Sequence, residues 1–150
     1  MRNFCLAILL LLTLPVFAQS KEEASVKACI DQLFTAMRTG DSSLLAECFS
    51  PTALLQTIVS HQDGSTEVKT EPVQLFVSSV GKPHKEVYDE RISYGSILVD
   101  DNLASVWTPY QFYLGEKFSH CGVNAFQLVK LNGRWKIQYI IDTRRKGDCL

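Results

Sequence analysis

Residues 73–99 read VQLFVSSVGKPHKEVYDERISYGSILV, and the spacing of apolar residues changes within this stretch. Before Gly81 the apolar residues recur every three or four positions, which is typical of a helix with one buried face. After Pro83 they alternate with polar residues, which is typical of a strand with one buried face. The stretch therefore predicts the end of a helix and the start of a sheet.

Four strand-like runs follow this change, over residues 86–99, 103–114, 117–131 and 135–143. Short polar turns separate the runs, and the last turn, Asn132-Gly133, is the strongest two-residue signal for a hairpin. The runs are therefore expected to form a long antiparallel meander.

Two helices are predicted well before the meander. Ser20 is followed three residues later by Glu23, which is the spacing of a capping box, and an apolar face with helical period comes next. Gly40 is expected to end this first helix, and Asp41 is expected to cap a short second helix that stops before Pro51. The folded part should thus open with a helical hairpin.

A strand pair and a third helix are predicted between the hairpin and the meander. Residues 53–61 and 67–69 have the pattern of two strands joined by a turn. Thr70 is expected to cap the third helix, with Pro72 in its first turn. Helices followed by long strands indicate an α+β fold in which a curved, mostly antiparallel sheet packs on the helices. No linker interrupts the pattern, so residues 19–150 are expected to form one domain.

The N-terminus has the pattern of a secretory signal peptide. Arg2 precedes an apolar run over residues 4–14, and small residues stand three and one positions before Gln19. The run of about 11 residues is shorter than the ~20 that a membrane-spanning helix needs. Residues 1–18 are therefore expected to be cleaved off, and the product is expected in the periplasm or outside the cell.

Charge argues against a nucleic-acid partner. Without residues 1–18 the chain has 14 basic and 16 acidic side chains, a net charge of −2, and the two signs are interspersed. A nucleic-acid-binding domain normally presents a basic face. The one basic cluster, Arg144-Arg145-Lys146, is short and typical of a solvated strand end. We expect no nucleic-acid partner and, after cleavage, no membrane association.

Four cysteines remain after cleavage, namely Cys29, Cys48, Cys121 and Cys149. In a helical hairpin about Gly40, Cys29 and Cys48 lie at similar heights, so a disulfide between them and two buried free thiols are equally expected. The sequence has no C-x-x-C motif and its histidines lack ligand spacing. Neither a metal nor another cofactor is expected.

The order of elements resembles the nuclear transport factor 2-like superfamily, which includes ketosteroid isomerase, scytalone dehydratase and polyketide cyclases. Within it, four tracts resemble a bacterial branch labelled "putative lumazine-binding": GDSSLLAECFSPTA (40–53), VWTPYQFY (106–113), FSHCGVNAFQLVK (118–130) and GRWKIQYIIDTRRK (133–146). The resemblance implies a cone-shaped sheet around an internal pocket. It carries no catalytic residue onto this chain, because the scaffold hosts enzymes, carriers and other proteins.

Pairing outward from the hairpin turns predicts which residues share a face of the sheet, provided that no bulge intervenes. The turn at Asn132-Gly133, for example, pairs Leu128 with Ile137. The face expected to line the pocket holds Tyr94, Trp107, His120, Asn124, Phe126, Leu128, Ile137, Tyr139 and Ile141. The opposite face is expected to hold Val106, Tyr110, Phe112, Val123, Ala125 and Ile140.

The first face combines large apolar groups with a few polar ones, as a small-molecule pocket requires. Tyr94, Trp107, His120, Asn124 and Tyr139 are the predicted ligand-binding residues, because aromatic rings can stack on a flat molecule and polar groups can orient it. The opposite face is too apolar to be fully hydrated, and many members of the superfamily pack this face on a second copy. A homodimer through the outer face is therefore expected.

His120 and Asp142 are the candidate catalytic residues. His120 could serve as an acid or a base near neutral pH, or it could be a hydrogen-bonded core histidine. Asp142 could be a buried base. Alternation directs it to the other face, where an ion pair with Arg144, Arg145 or Arg91 is the alternative.

Two functions compete at this point, and a structural or interaction module that works through the outer face of the sheet is a third. The first is an exported protein that binds a small aromatic molecule, such as a lumazine, without turnover. The second is a cofactor-free isomerase, dehydratase or hydrolase that uses His120 with Asp142 or a tyrosine.

Overall fold

The computed structural model describes residues 14–61 and 63–149, and for residues 14–20 it describes the backbone alone. The predicted signal peptide, residues 1–18, lies mostly outside the described residues and stays a prediction. Among the described residues, no helix combines the length and the apolar character that crossing a bilayer requires.

Three helices occur in the described chain: α1 (Leu14–Thr39), α2 (Ser42–Cys48) and α3 (Val73–Gly81). Gly40 ends α1 with a φ of 69°, a backbone conformation that glycine adopts without strain. Asp41 caps α2 as predicted, because its side chain accepts a hydrogen bond from the backbone N–H of Leu44 at 2.9 Å.

Two predicted helix starts are wrong. The helix α1 runs through Ser20 without a break, because the preceding residues 14–19 continue it. Thr70 does not cap α3, since it lies in a strand, where its hydroxyl accepts a hydrogen bond from Gln56 Nε2. Pro72 precedes α3 instead, with an extended backbone and no side-chain cap.

Seven strands of the described chain form one curved sheet: β1 (Phe49–Ser60), β2 (Thr66–Glu71), β3 (Tyr88–Ile92), β4 (Ser96–Asp100), β5 (Leu103–Leu114), β6 (Lys117–Leu131) and β7 (Arg134–Thr143). The strand order is β2-β1-β7-β6-β5-β3, and β4 pairs with the other half of β5. Among the described strands, only β1 and β7 run parallel. The predicted α+β arrangement is confirmed, although the run 86–99 is divided into β3 and β4 around Tyr94.

Two bulges change the predicted register of the meander. Lys130 pairs with Trp135, and Leu128 with Ile137, as predicted, but Gln138 is then left unpaired in β7. Ser119 is left unpaired in β6 in the same way. Beyond each extra residue the side chains change face.

The predicted faces are therefore partly wrong. Asn124 pairs with Asp142 rather than with Ile141, and Trp107 pairs with Ala125 rather than with Asn124. Four residues expected outside share the inner face with His120 and Asn124: Val106, Tyr110, Phe112 and Ile140. Three residues expected inside lie on the outer face: Trp107, Tyr139 and Ile141.

The core lies between the inner face of the sheet and one face of α1. Helical spacing places most of the buried residues of α1 on one stripe, namely Val26, Ile30, Leu33, Phe34 and Met37, and Ala36 is buried beside it. They pack on buried strand residues that include Phe126, Leu128 and Ile137. The rings of Phe34 and Phe126 meet edge to face, with centroids 6.2 Å apart. This packing fixes the helices over one end of the sheet.

The disulfide joins Cys121 of β6 to Cys149, and of the two alternatives for Cys29 and Cys48 the free thiols are confirmed and the bond between them is wrong. The two free thiols point to different carbonyl oxygens rather than to each other. The thiol of Cys29 lies 3.9 Å from the Cys48 carbonyl oxygen, and that of Cys48 lies 3.4 Å from the Leu44 carbonyl oxygen.

Candidate ligand-binding cavity

A cavity of about 380 Å³ lies between the helices and the inner face of the sheet. Its volume is in the range of small-molecule sites, roughly 300–1,000 Å³. Apolar side chains from α1, α3 and the sheet form much of its wall, among them Phe34, Met37, Phe76, Val80, Phe112 and Phe126. Polar groups are gathered where β3, β5, β6 and β7 approach one another.

Asp142 lies in this polar region, with only 8% of the residue exposed. Its carboxylate accepts hydrogen bonds from the Thr57 hydroxyl at 2.6 Å and from Arg144 Nε at 2.8 Å. The Tyr110 hydroxyl lies 3.2 Å from the carboxylate and 2.9 Å from the Thr143 carbonyl oxygen. The prediction that Asp142 points to the other face is wrong, because the bulge at Gln138 turns it inward. The predicted ion pair with Arg144 is present.

Tyr110 is buried, with 4% of the residue exposed. Burial raises the pKa of Tyr110, and the carboxylates of Asp142 and Glu90 raise it further. The phenol therefore keeps its proton at neutral pH and can act as a hydrogen-bond donor in the cavity.

Glu90 extends from β3 into the same region. Asn124 Nδ2 donates a hydrogen bond to Glu90 Oε1 at 2.8 Å, and Asn124 is itself buried. Burial raises the pKa of Glu90 to about 7; the hydrogen bond from Asn124 opposes this rise, and the nearby carboxylate of Asp142 adds to it. Glu90 therefore gains or loses its proton near neutral pH.

His120 lies on the inner face beside two aromatic rings. Its ring centroid is 5.7 Å from that of Tyr110, edge to face, and 5.1 Å from that of Phe112. Burial and the positive charge of Arg144 lower the pKa of His120, and Asp142 only partly offsets them. The imidazole is therefore expected to be neutral at neutral pH.

Three of the predicted site residues meet in the cavity wall: His120, Asn124 and Asp142. Tyr94 lies outside it, because its side chain is turned to α1, where the hydroxyl lies 2.8 Å from Asp31 Oδ1 and 3.1 Å from the Lys27 carbonyl oxygen. Trp107 and Tyr139 do not line it either, since both lie on the outer face. Trp107 is 49% exposed there, and the Tyr139 hydroxyl donates to Gln56 Oε1 at 2.6 Å.

Sequence reasoning missed Glu90 and Tyr110 as residues of the cavity wall. The signal for Glu90 was present, because Tyr88, Glu90 and Ile92 alternate on one face of β3 and Tyr88 and Ile92 pack on the core. Tyr110 was placed on the wrong face because the bulge at Ser119 has no signature in the sequence. Among the described residues, no group of three or more His, Cys, Asp and Glu is placed to hold a metal ion.

The profile of a family described as "Putative lumazine-binding" matches residues 21–139. No curated protein matches the chain at a significant level.

Solved structures share the fold at low sequence identity. A nuclear transport factor 2-like protein of unknown function from Shewanella baltica is 15% identical, with a TM-score of 0.67 over 85% of this chain and 97% of that one. A similar protein of unknown function from Silicibacter pomeroyi is 17% identical, with a TM-score of 0.67 over 85% and 98%. A protein of unknown function from Mycobacterium tuberculosis is 20% identical, with a TM-score of 0.67 over 89% and 78%. At these identities the likeness shows the fold alone.

Proposed function

Because the chain belongs to the family described as "Putative lumazine-binding" and has the nuclear transport factor 2-like fold, we propose that its cavity binds a small flat aromatic molecule, such as a lumazine, without turnover. The observation that carries the proposal is the cavity itself. Aromatic and aliphatic walls can cover the faces of a ring system, while Glu90, Asn124 and Asp142 are grouped where they can orient its polar edge.

Titration with 6,7-dimethyllumazine, followed by its fluorescence, tests this proposal. Phe112→Ala removes an aromatic wall of the cavity and is expected to weaken binding roughly tenfold or more, since burying an aromatic side chain contributes about 1.5–3 kcal/mol. Trp107→Ala is the matched control, because Trp107 projects from the other face of the same strand β5. Equal losses in both variants, or no saturable binding to the wild-type protein, would count against the cavity as the site.

A cofactor-free isomerase, dehydratase or hydrolase is the second candidate. It is favoured by the meeting of His120, Asp142 and Tyr110 in one cavity, where a neutral imidazole could accept a proton. The phenol could donate to a developing oxyanion once it gives up its hydrogen bond to Thr143 or Asp142. Isomerisation of a β,γ-unsaturated ketone, followed by the absorbance of the conjugated product, is a direct probe. His120→Gln should abolish such turnover, and His61→Gln, on the surface, should not.

Export is part of the proposal. It is supported by the N-terminal pattern of the sequence and is compatible with the Cys121–Cys149 bond, because disulfides persist mainly in oxidising compartments. Fractionation of a bacterial host that expresses the full chain should yield a periplasmic or secreted product, and its mass should be that of a chain that begins at Gln19. An unprocessed cytoplasmic product would refute it.

We also propose a homodimer through the outer face of the sheet. Trp107 and Leu98 lie on this face, 49% and 67% exposed, and Tyr139 and Ile141 lie on the same face across β6. Trp107→Lys should then shift the protein to monomers in sedimentation at micromolar concentration. A wild-type protein that is already monomeric would remove this proposal without affecting the cavity.

A further inference from the structure

Glu90 is held by the protein at one carboxyl oxygen. Oε1 accepts the hydrogen bond from Asn124 Nδ2 at 2.8 Å, whereas no other described residue donates a hydrogen bond to the Glu90 carboxylate. The second oxygen, Oε2, is thus an acceptor without a protein partner on a residue that lines the cavity. Glu90 is partly buried, so this oxygen is open to the cavity, where a ligand N–H can donate to it.

Asn124 supplies the complementary group. It is 6% exposed and lies on β6, between the strands that carry Glu90 and Asp142. One N–H of its side-chain amide is committed to Glu90, and the other can donate to an acceptor in the cavity. Next to each other, Glu90 and Asn124 therefore offer one acceptor and one donor.

We propose that Glu90 and Asn124 together select the ligand, by pairing with an N–H and the adjacent C=O on the edge of a flat cyclic imide or lactam. The inference rests on the proposed function, because it names the ligand chemistry of the same cavity. A lumazine carries such an imide edge, and so do other dione-bearing fused heterocycles. A site built to hydrogen-bond a ligand N–H discriminates strongly against an analogue that lacks it.

This pairing couples binding to the loss of a proton from Glu90. With its pKa raised to about 7, Glu90 is protonated in about half of the free molecules at neutral pH. A ligand N–H donates to the ionised carboxylate, so binding lowers the pKa of Glu90 and releases its proton to solvent. Affinity should therefore rise as the pH increases towards 7 and level off above it.

The other charged and titratable groups around the cavity come from several elements: Asp142 and Arg144 from β7 and its end, Tyr110 from β5, His120 from β6, Glu71 from β2 and Tyr88 from β3. The helices contribute apolar side chains and Ser79. The pKa of Tyr110 is raised and that of His120 is lowered, so neither should change charge between about pH 7 and about pH 8. His120→Gln controls for a contribution of the imidazole at lower pH.

Calorimetric titration with two probes tests the inference. The probes are 6,7-dimethyllumazine and its N3-methyl derivative, which lacks the imide N–H. The wild-type protein should bind the first roughly tenfold or more tightly than the second. Below pH 7 the affinity of the wild-type protein for the first probe should fall by up to about tenfold per pH unit. At pH 7 binding should release close to half a proton, which is measured by comparing the heat of binding in buffers with different heats of ionisation.

Glu90→Gln should abolish both the preference for the N–H probe and the pH dependence, whereas Glu116→Gln, in an exposed turn, should change neither. If both probes bind with equal affinity, or if Glu90→Gln retains the preference and the pH dependence, the inference is overturned while the proposed function stands. If neither probe binds, both fail. Because the two probes are compared on the same unaltered protein, the test does not depend on the folding of a variant.

Discussion

At the scale of the residue, Glu90 is a functional group that is expected to reduce stability. The pKa of a free glutamate is 4.5, and burial raises that of Glu90 to about 7 in the folded protein. Between pH 4.5 and about pH 7, Glu90 loses its proton in the unfolded chain and keeps it in the folded protein. The contribution of Glu90 to the free energy of unfolding therefore falls as the pH rises to about 7, and it is constant above about pH 7.

Glu90→Gln should therefore stabilise the protein by about 1–3 kcal/mol at about pH 8, and by less at about pH 5. Urea unfolding at both values measures the difference, with Glu116→Gln as the variant in which no such gain is expected. A gain for Glu90→Gln that is larger at low pH would show that the carboxylate is stabilised rather than destabilised by its surroundings.

Individual residues were the part of the site that sequence reasoning predicted least well. His120 and Asn124 were placed correctly because they lie between the two bulges, on the same stretch of β6 as Phe126. Asp142 was recognised by its type, a carboxylate in an apolar tract, but was placed on the wrong face. Glu90 was missed because a charged residue in an alternating run resembles a solvated position until the opposite wall of the cavity is known.

At the scale of the element, the close approach of β6 to the end of β7 depends on Gly122. A Cβ at this position would overlap the carbonyl oxygen of Thr143 and lie 2.9 Å from the ring of Tyr110. Gly122→Ala should therefore push the end of β7 away and disturb the contact between Tyr110 and Asp142. Overpacking of this kind typically costs about 1–3 kcal/mol.

Gly147→Ala is the matched control for Gly122→Ala. Nothing lies within 4 Å of a Cβ at position 147. Chemical unfolding of the two variants should show a loss of stability for the first alone. If Gly122→Ala is as stable as the wild-type protein, β7 can yield at this point, and the geometry around Asp142 is less rigid than this close contact indicates.

The elements themselves were largely predictable, because turn residues and hydrophobic period both have a local cause. Asn132 and Gly133 have the positive φ values that such a hairpin turn requires, and Asp41 caps its helix. The bulges at Ser119 and Gln138 have no comparable signature. They arise where long strands bend around the helices, so they reflect the tertiary structure, and one extra residue is enough to reverse the faces beyond it.

At the scale of the whole molecule, the fold was predicted because the order of its elements is encoded in many residues at once. The disulfide was not, because the distance between two cysteines depends on packing that spacing alone does not show. Cys29 and Cys48 do lie near each other across the helical hairpin, since the Cys29 thiol is 3.9 Å from the Cys48 carbonyl oxygen. They form no bond, because their thiols point to different carbonyl groups.

The Cys121–Cys149 bond closes the C-terminal segment onto β6 at a sequence separation of 28, and the chain-entropy model assigns a loop of this size about 3.5 kcal/mol. Cys149→Ser should therefore lower the free energy of unfolding by about 2–4 kcal/mol and make it insensitive to reductant. Cys29→Ser leaves the bond in place, so the stability of this variant should still fall when reductant is added.

In the exported protein, thiol titration in denaturant should find only Cys29 and Cys48, whereas an unprocessed chain would also react at Cys5. A third reactive thiol would thus contradict removal of residues 1–18, and four after removal would contradict the disulfide.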